Sequence, residues 1–290
     1  MCAHGLRYGR TIPLRPGSHA DQPQGAAHYA GALNKVRLIL IRHGESDHAL
    51  CDVIAGRHSC RGLSEQGLKQ AELLAHRLVV THEVSDCQAL LCSPVLRARQ
   101  TAEVLARVLP AGPIEDDCDL CELHPGAADG LSWEAYRATY GAFNLLTSPT
   151  RPFAPGAESW VEFAQRVHAT LERLARRFAG QTVVAVTHAG FIVVSVLVLF
   201  DIPRPGTGAH LDPGYTSLTE WRVEEARWQL VRFNDLSHLT DGDGYRVYLS
   251  PDAPDDRIGR GGSSMCASNW RDNKEVTYEN RSEKQRPRHI

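Results

Sequence analysis

Short apolar runs alternate along the middle of the chain with longer segments whose apolar residues recur at helical spacing. The continuous runs are rich in β-branched residues and predict buried strands at 36–41, 89–92, 182–187, 216–223 and 227–233. Helical spacing predicts helices that begin at Ser64, at Pro94, at Ser159 and at Gly190. The repeated strand-then-helix order predicts an α/β fold with a mostly parallel central sheet.

The two ends of the chain lack this pattern. Residues 1–34 are rich in Gly, Ala, His and Pro, and residues 241–290 are rich in Asp, Gly, Arg, Ser and Pro. Such segments bury too little apolar surface to offset the entropy of ordering them. We therefore expect a disordered N-terminal extension over 1–34, one folded domain over 35–240, and a disordered C-terminal tail over 241–290.

Composition excludes several classes of partner. The 290 residues include 32 Lys and Arg against 34 Asp and Glu, and this near balance argues against general nucleic-acid binding. The longest apolar stretch, 191–200, is too short to cross a bilayer, so we expect no membrane insertion. Because residues 1–34 contain no apolar signal segment, we expect a cytoplasmic protein with reduced cysteines. No pattern in the sequence predicts the oligomeric state.

Histidine follows two of the predicted strands directly. Strand 36–41 ends in Arg42-His43-Gly44, and strand 182–187 ends in His188-Ala189-Gly190. If the two strands are parallel neighbours, both imidazoles lie at the same edge of the sheet, where open α/β sheets bind ligands. Arginine offers a planar fork of donors that suits phosphate or carboxylate, so this edge is a candidate anion site.

Two further segments add chemistry to this edge. Ser93 and Pro94 predict the cap and first position of a helix that runs to about residue 109, with Arg97 one turn inside it. Arg99, on a different face, is expected to be solvated or ion-paired. Glu122 follows a predicted short strand and is the candidate acid.

A single C-x-x-C pair precedes this acid. Cys118 and Cys121 have the spacing of half a zinc site, but such sites usually need a second cysteine pair or a histidine pair. From the sequence alone we therefore expect buried or idle thiols here and no metal.

These motifs together resemble the histidine phosphatase superfamily, in the branch that includes cofactor-dependent phosphoglycerate mutase. The resemblance covers about 36–240. It is carried by Arg42-His43-Gly44-Glu45-Ser46, Leu63-Ser-Glu-x-Gly67 with Gln70-Ala71, Ser93-Pro-x-x-Arg97-Ala98-x-Gln-Thr101-Ala, Leu120-x-Glu122 and His188-Ala-Gly190. It implies a three-layer α/β/α fold of the phosphoglycerate mutase type.

The resemblance also implies a role for each residue. His43 would be the nucleophile that forms a phosphohistidine, and Arg42, Arg97 and a cationic His188 would bind the phosphoryl oxygens, together with Gly44 and Ala189. Glu122 would protonate the leaving group and then activate water. No metal or other cofactor would be needed, because the arginines supply the positive charge. The partner would be a small phosphorylated metabolite.

One position departs from the family pattern. Many members carry an asparagine four residues after the signature glutamate, where this chain has Ala49. His48, Arg57 or Arg61 would then have to supply a substitute donor.

Three alternatives to a phosphatase stay open at this stage. A phosphoglycerate mutase of the resembled type has a longer insertion between the acid and the second histidine, whereas only 66 positions separate Glu122 from His188 here. This short interval favours a phosphatase. The other two are a non-catalytic phosphate-binding regulatory protein on the same fold, and a metallohydrolase using His43, His48 and His188.

Overall fold

The computed structural model describes residues 35–142, 148–202, 210–225 and 227–240. The predicted disordered segments 1–34 and 241–290 lie outside these ranges. The strands are β1 Val36–Arg42, β2 Cys87–Cys92, β3 Glu115–Asp116, β4 Thr182–Thr187, β5 Leu218–Glu224 and β6 Arg227–Asp235. The helices are α1 Glu65–Thr81, α2 Leu96–Leu105, α3 Trp133–Tyr140, α4 Trp160–Arg177 and α5 Ala189–Leu199.

One six-stranded sheet organises the described residues, in the order β3-β2-β4-β1-β5-β6. Strands β1 to β4 run parallel, and β5 and β6 add an antiparallel edge. The strands β1 and β4 are neighbours, with Arg42 paired to Thr187. The predicted mostly parallel sheet is confirmed. The residues that directly follow β1 and β4 therefore lie side by side at the same edge of the sheet.

Helices cover both faces of the sheet, as the resemblance implies. Alternate residues of β1 point to opposite sides: Leu38 and Leu40 pack in a cluster with α4 and α5, whereas Ile39 and Ile41 pack in a cluster with α1 and α2. Full burial of one such aliphatic side chain contributes roughly 1.5–3 kcal/mol. Both faces of the central strands are therefore packed against helices, and the three-layer α/β/α fold is confirmed.

Serine caps fix the starts of two helices as predicted. Ser64 accepts a hydrogen bond from the Gly67 backbone N–H at 3.0 Å, at the start of α1. Ser159 forms a capping box with Glu162 at the start of α4.

The predicted start and end of α2 were wrong. The helix begins at Leu96 behind Val95 and ends at Leu105, rather than running from Pro94 to about residue 109. The Ser93 hydroxyl is not at the cap position: its oxygen accepts from the Val95 N–H at 3.3 Å, before the helix begins, and lies 2.8 Å from His188 Nε2. The short strand predicted immediately before Glu122 was also wrong: β3 lies further upstream, and Cys118–Leu120 forms a 3-10 turn.

The helices of the described ranges bear on membrane insertion. None of them is both long and apolar enough to cross a bilayer.

Candidate active site

Two imidazoles and one guanidinium meet at the carboxyl edge of the parallel strands. The rings of His43 and His188 lie 5.1 Å apart between centroids, with their planes at 64°. Arg97 bridges them: its Nε donates to His43 Nε2 at 3.0 Å, and its Nη2 lies 3.1 Å from His188 Nδ1. All three side chains are buried. The structure thus brings together the two histidines and the arginine that the sequence singled out.

The hydrogen bonds assign a proton to each imidazole. A guanidinium only donates, so His43 Nε2 and His188 Nδ1 must accept. His43 Nδ1 therefore carries a proton, which it donates to the Gly44 carbonyl at 2.6 Å. His188 Nε2 carries the other, which it donates to Ser93 Oγ at 2.8 Å. The lone pair of His43 Nε2 faces the site, as a nucleophile requires.

Electrostatics agree with these neutral tautomers. Burial first, and the nearby Arg97 second, hold the pKa of His43 well below its usual range, and the same two causes lower the pKa of His188. Burial and Arg97 thus both oppose the cationic form expected for His188. An anion between these side chains would raise both pKa values, because it favours the charged imidazolium.

Arg42 takes a different position from Arg97. Its guanidinium lies 3.9 Å from the centroid of the Tyr215 ring and donates to the Pro213 carbonyl. Its Nε is buried without a hydrogen-bond partner among the described residues. A buried charged donor left unpaired is costly, so this N–H is available to an anion at the end of β1.

Close backbone packing fixes the loop that carries His43. A Cβ on Gly44 would collide with the Gly67 carbonyl oxygen, so only glycine fits here. The Gly44 N–H donates to Thr101 Oγ1 at 3.1 Å. Glu45 is buried and accepts from the Ser64 hydroxyl at 2.7 Å, so it braces the loop rather than facing the imidazoles.

Glu122 lies against the start of α5. Its Oε2 accepts from the Gly190 N–H at 2.9 Å, and its Oε1 accepts from the Leu123 N–H at 3.1 Å. A Cβ at position 190 would collide with Oε1. The glycine two residues after His188 therefore makes room for the acid. Ala189, which lies between His188 and Gly190 in the sequence, is half-buried. It occupies the first position of α5, where backbone N–H groups have no partner within the helix.

Two residues that support the site were missed by the sequence reasoning. Arg166, in α4, donates to the carbonyls of Cys121 and Glu122 at 3.0 and 3.1 Å and holds the acid segment in place. The sequence pattern predicts only a helix cap at Ser93, whereas its hydroxyl orients His188. The position of Ser93 directly after a parallel strand, like that of the two histidines, was the available signal.

A cavity of about 490 Å³ opens beside this cluster. Arg97 and Glu122 form part of its wall, and Arg57 lines it from the loop after β1. Its further lining residues include His58, Cys118, Cys121, His124 and Asp129. This volume lies in the range of small-molecule sites.

The three residues expected to replace the asparagine donor that is missing at position 49 lie in different places. Arg57 lines the cavity, whereas Arg61 is exposed and does not line it. The ring of His48 lies 3.2 Å from the Ser46 hydroxyl, and burial together with Arg97 lowers its pKa to about 4. Arg57 is therefore the best placed to donate to a ligand in the cavity. Arg99 pairs with Asp116 at 2.6 Å and with Glu103, as expected.

A metallohydrolase site built from His43, His48 and His188 finds no support. Over the described ranges, a different set of three potential ligand atoms converges closely enough to hold a metal ion. They belong to Cys118, Cys121 and His124. Arg97 also lies between two of the three histidines, where its positive charge opposes a cation.

Comparison with known proteins identifies the family. Residues 38–236 match the histidine phosphatase superfamily (branch 1). The chain is 30% identical over 211 residues to a metal-independent phosphoserine phosphatase of Arabidopsis thaliana, covering 70% of this chain and 83% of that protein. It is 27% identical to phosphoglycerate mutase-like protein 4 of the same plant, covering 70% and 87%. The solved structure of Bacillus stearothermophilus YhfR is similar with a TM-score of 0.62 and 26% identity, covering 70% of this chain and 98% of that one.

Proposed function

The chain belongs to the histidine phosphatase superfamily (branch 1), and we propose that it hydrolyses monoesters of small phosphorylated metabolites through a phosphohistidine on His43. The observation that carries this proposal is the Arg97 guanidinium, which donates to both imidazoles and lines the adjacent cavity. Phosphoryl transfer needs chiefly positioning and positive charge, and this cluster offers both.

In the first step the substrate phosphoryl group takes the place of the imidazoles as acceptor for Arg97. The freed lone pair of His43 Nε2 attacks phosphorus, and the P–O bond to the leaving group breaks. Glu122, in its protonated form, transfers its proton to the departing oxygen. The buried Nε of Arg42 and the backbone N–H of Ala189, at the first position of α5, add donors for the phosphoryl oxygens, whereas the Gly190 N–H holds Glu122.

In the second step water attacks the phosphohistidine. The Glu122 carboxylate accepts the proton from that water, the P–N bond breaks, and its electron pair returns to His43 Nε2. Inorganic phosphate leaves, and Glu122 is protonated again for the next substrate. No step needs a metal ion, because the arginines stabilise the charge of the transition state.

The cavity lining supports a small, polar leaving group. Arg57, His58 and His124 place donors around a volume of about 490 Å³, which suits a metabolite better than a folded phosphoprotein. Phosphoserine is the first substrate to test, because the Arabidopsis relative is a phosphoserine phosphatase. A cytoplasmic location remains a prediction from the sequence.

The test is turnover of p-nitrophenyl phosphate and of phosphoserine with EDTA present. The proposal predicts unchanged hydrolysis in EDTA and its loss in His43→Ala. Inhibition by EDTA would favour a metallohydrolase. Tight binding of phosphate without hydrolysis would favour a regulatory phosphate-binding protein.

A mutase requires a separate test. The protein is incubated with 3-phosphoglycerate and a bisphosphoglycerate primer, and both 2-phosphoglycerate and free phosphate are measured. A phosphatase releases phosphate. Rapid interconversion of the two phosphoglycerates with little free phosphate would establish the mutase instead.

A further inference from the structure

Two thiols and an imidazole converge on one side of the cavity. Their ligand atoms, from Cys118, Cys121 and His124, all lie within 4.8 Å of one another. Cys121 is buried and Cys118 is exposed, so the group is fixed at one end and open to solvent at the other. The two chemical steps above use none of the three side chains, although His124 also lines the cavity that would take the leaving group.

The spacing of the two sulfurs fits a tetrahedral metal ion. A Zn–S bond of about 2.3 Å places two tetrahedral thiolate ligands about 3.8 Å apart. Cys118 Sγ and Cys121 Sγ are 3.9 Å apart. The side chain of His124 is 43% exposed, so it can rotate to bring a ring nitrogen to the same centre.

The surroundings of His124 also suit a metal ligand. Its Nδ1 lies 3.5 Å from Glu158 Oε2, and its backbone N–H donates to that oxygen at 2.8 Å. Arg166 fixes this carboxylate through contacts of 2.7 Å from both Nε and Nη2. Ligating histidines commonly give their second nitrogen to such a carboxylate. Three protein ligands leave one coordination position open.

The group shares its cavity with the proposed chemistry. Cys118, Cys121 and His124 line the same cavity as Arg97 and Glu122. Cys121 also lies 3.2 Å from the Ser93 hydroxyl, which holds His188. A cation bound here would occupy space beside Glu122 that the leaving group needs.

We propose that Cys118, Cys121 and His124 form a binding site for Zn²⁺, and that the bound ion inhibits the phosphatase. On binding, each thiol loses its proton to solvent and coordinates as a thiolate. The site is inhibitory rather than structural, because it lies in the wall of the cavity. The inhibitory part of this inference rests on the proposed function, whereas the binding part does not.

The binding part is tested with Co²⁺ as a spectroscopic probe on the reduced, metal-free full chain. We expect one equivalent of Co²⁺ to produce a thiolate charge-transfer band and the intense visible bands of tetrahedral cobalt, both removed by Zn²⁺. In Cys118→Ser the affinity for Co²⁺ should fall by at least about 10–100-fold, because loss of an outer-shell partner alone already costs that much. Cys118 is exposed, so its replacement spares the core.

Cys60→Ser is the matched control. Cys60 is a free, half-buried thiol outside the group, and its replacement should leave the cobalt spectrum unchanged. A spectrum that survives in both Cys118→Ser and Cys121→Ser would overturn the site. So would a spectrum that disappears in Cys60→Ser, or no thiolate band in the parent protein.

The inhibitory part is tested by hydrolysis of p-nitrophenyl phosphate at controlled free Zn²⁺. At a free concentration about ten times Kd, mutually exclusive binding lowers kcat/KM about tenfold. This loss should occur in the parent and in Cys60→Ser, and should shrink to about twofold or less in Cys118→Ser, each compared with itself without zinc. Cobalt binding without inhibition would overturn the inhibitory part. A chain that binds cobalt but hydrolyses no ester would contradict the proposed function instead.

Discussion

Replacing Arg97 by glutamine removes the guanidinium that donates to both imidazoles. In the proposed mechanism these donors serve the phosphoryl oxygens of the transition state, and loss of one such donor typically costs about 10²–10³ in rate. We therefore expect kcat/KM for p-nitrophenyl phosphate to fall about 10²–10³-fold. Stability should change by no more than about 2 kcal/mol, because the lost hydrogen bonds to His43, His188 and Ala55 are offset by the relief of a buried charge.

The same substitution has a second, independent readout. Arg97 lowers the pKa of both imidazoles, so their pKa values should rise towards the ordinary range in Arg97→Gln, although burial still holds them down. Titration of the imidazole C–H resonances by NMR measures this directly. The direction is fixed by charge: removal of a nearby cation favours the protonated imidazole.

Arg99→Gln is the matched control, since Arg99 lies in the same helix but pairs with Asp116 and Glu103 on the surface. Its activity should stay within about twofold of the parent, because exposed ion pairs contribute little. If Arg97→Gln folds normally and keeps more than about a third of the parent kcat/KM, the role given to Arg97 in transition-state stabilisation is wrong.

Three further substitutions test other parts of the account. Gly190→Ala places a methyl group against the Glu122 carboxylate, so kcat should fall while phosphate binding, measured by calorimetry, is retained; an unchanged kcat would show that Glu122 is not the acid. Ser93→Ala removes the hydrogen bond that orients His188, and kcat should fall about 2–10-fold, as expected for a neutral hydrogen bond; a His188 resonance unaltered in position and titration would contradict this. Burial raises the pKa of Asp235, but hydrogen bonds from an arginine outweigh it, so the folded-state pKa is depressed and the stabilisation is present above pH 4 and lost on acidification. Asp235→Asn should therefore lower the free energy of unfolding in urea by on the order of 1–2 kcal/mol at pH 7. The loss should be smaller at pH 3 and should disappear only as the pH falls through the depressed folded-state pKa; equal losses at pH 7 and pH 3 would refute the linkage.

The strands and the two histidines could be predicted from sequence because their signals are local. A buried β-branched run followed at once by a polar residue marks both the strand and the position of that residue at the sheet edge. The runs before His43 and His188 are of this kind, and the structure pairs them as parallel neighbours. The predicted start of α2 was wrong because a tertiary contact, which leaves no local signal in the sequence, decides the role of Ser93. Ser93 has the local pattern of a helix cap, but a tertiary contact with His188 uses its hydroxyl.

The support of the acid segment could not be predicted, because it depends on contacts between distant parts of the chain. Arg166 lies on α4, more than forty residues after the carbonyls that it holds. The grouping of His124 with Cys118 and Cys121 likewise depends on how the loop after the 3-10 turn folds back. The C-x-x-C spacing alone predicted idle thiols, and only the structure shows the third ligand beside them.

The phosphohistidine itself is tested most directly by rapid quenching of the protein with ³²P-labelled substrate. The account predicts a label that is stable in base, labile in acid, located on His43, and formed and lost at rates no slower than turnover. The His43→Ala protein should carry none. Hydrolysis that proceeds with no labelled protein at any quench time, or with the label on another residue, would contradict the mechanism.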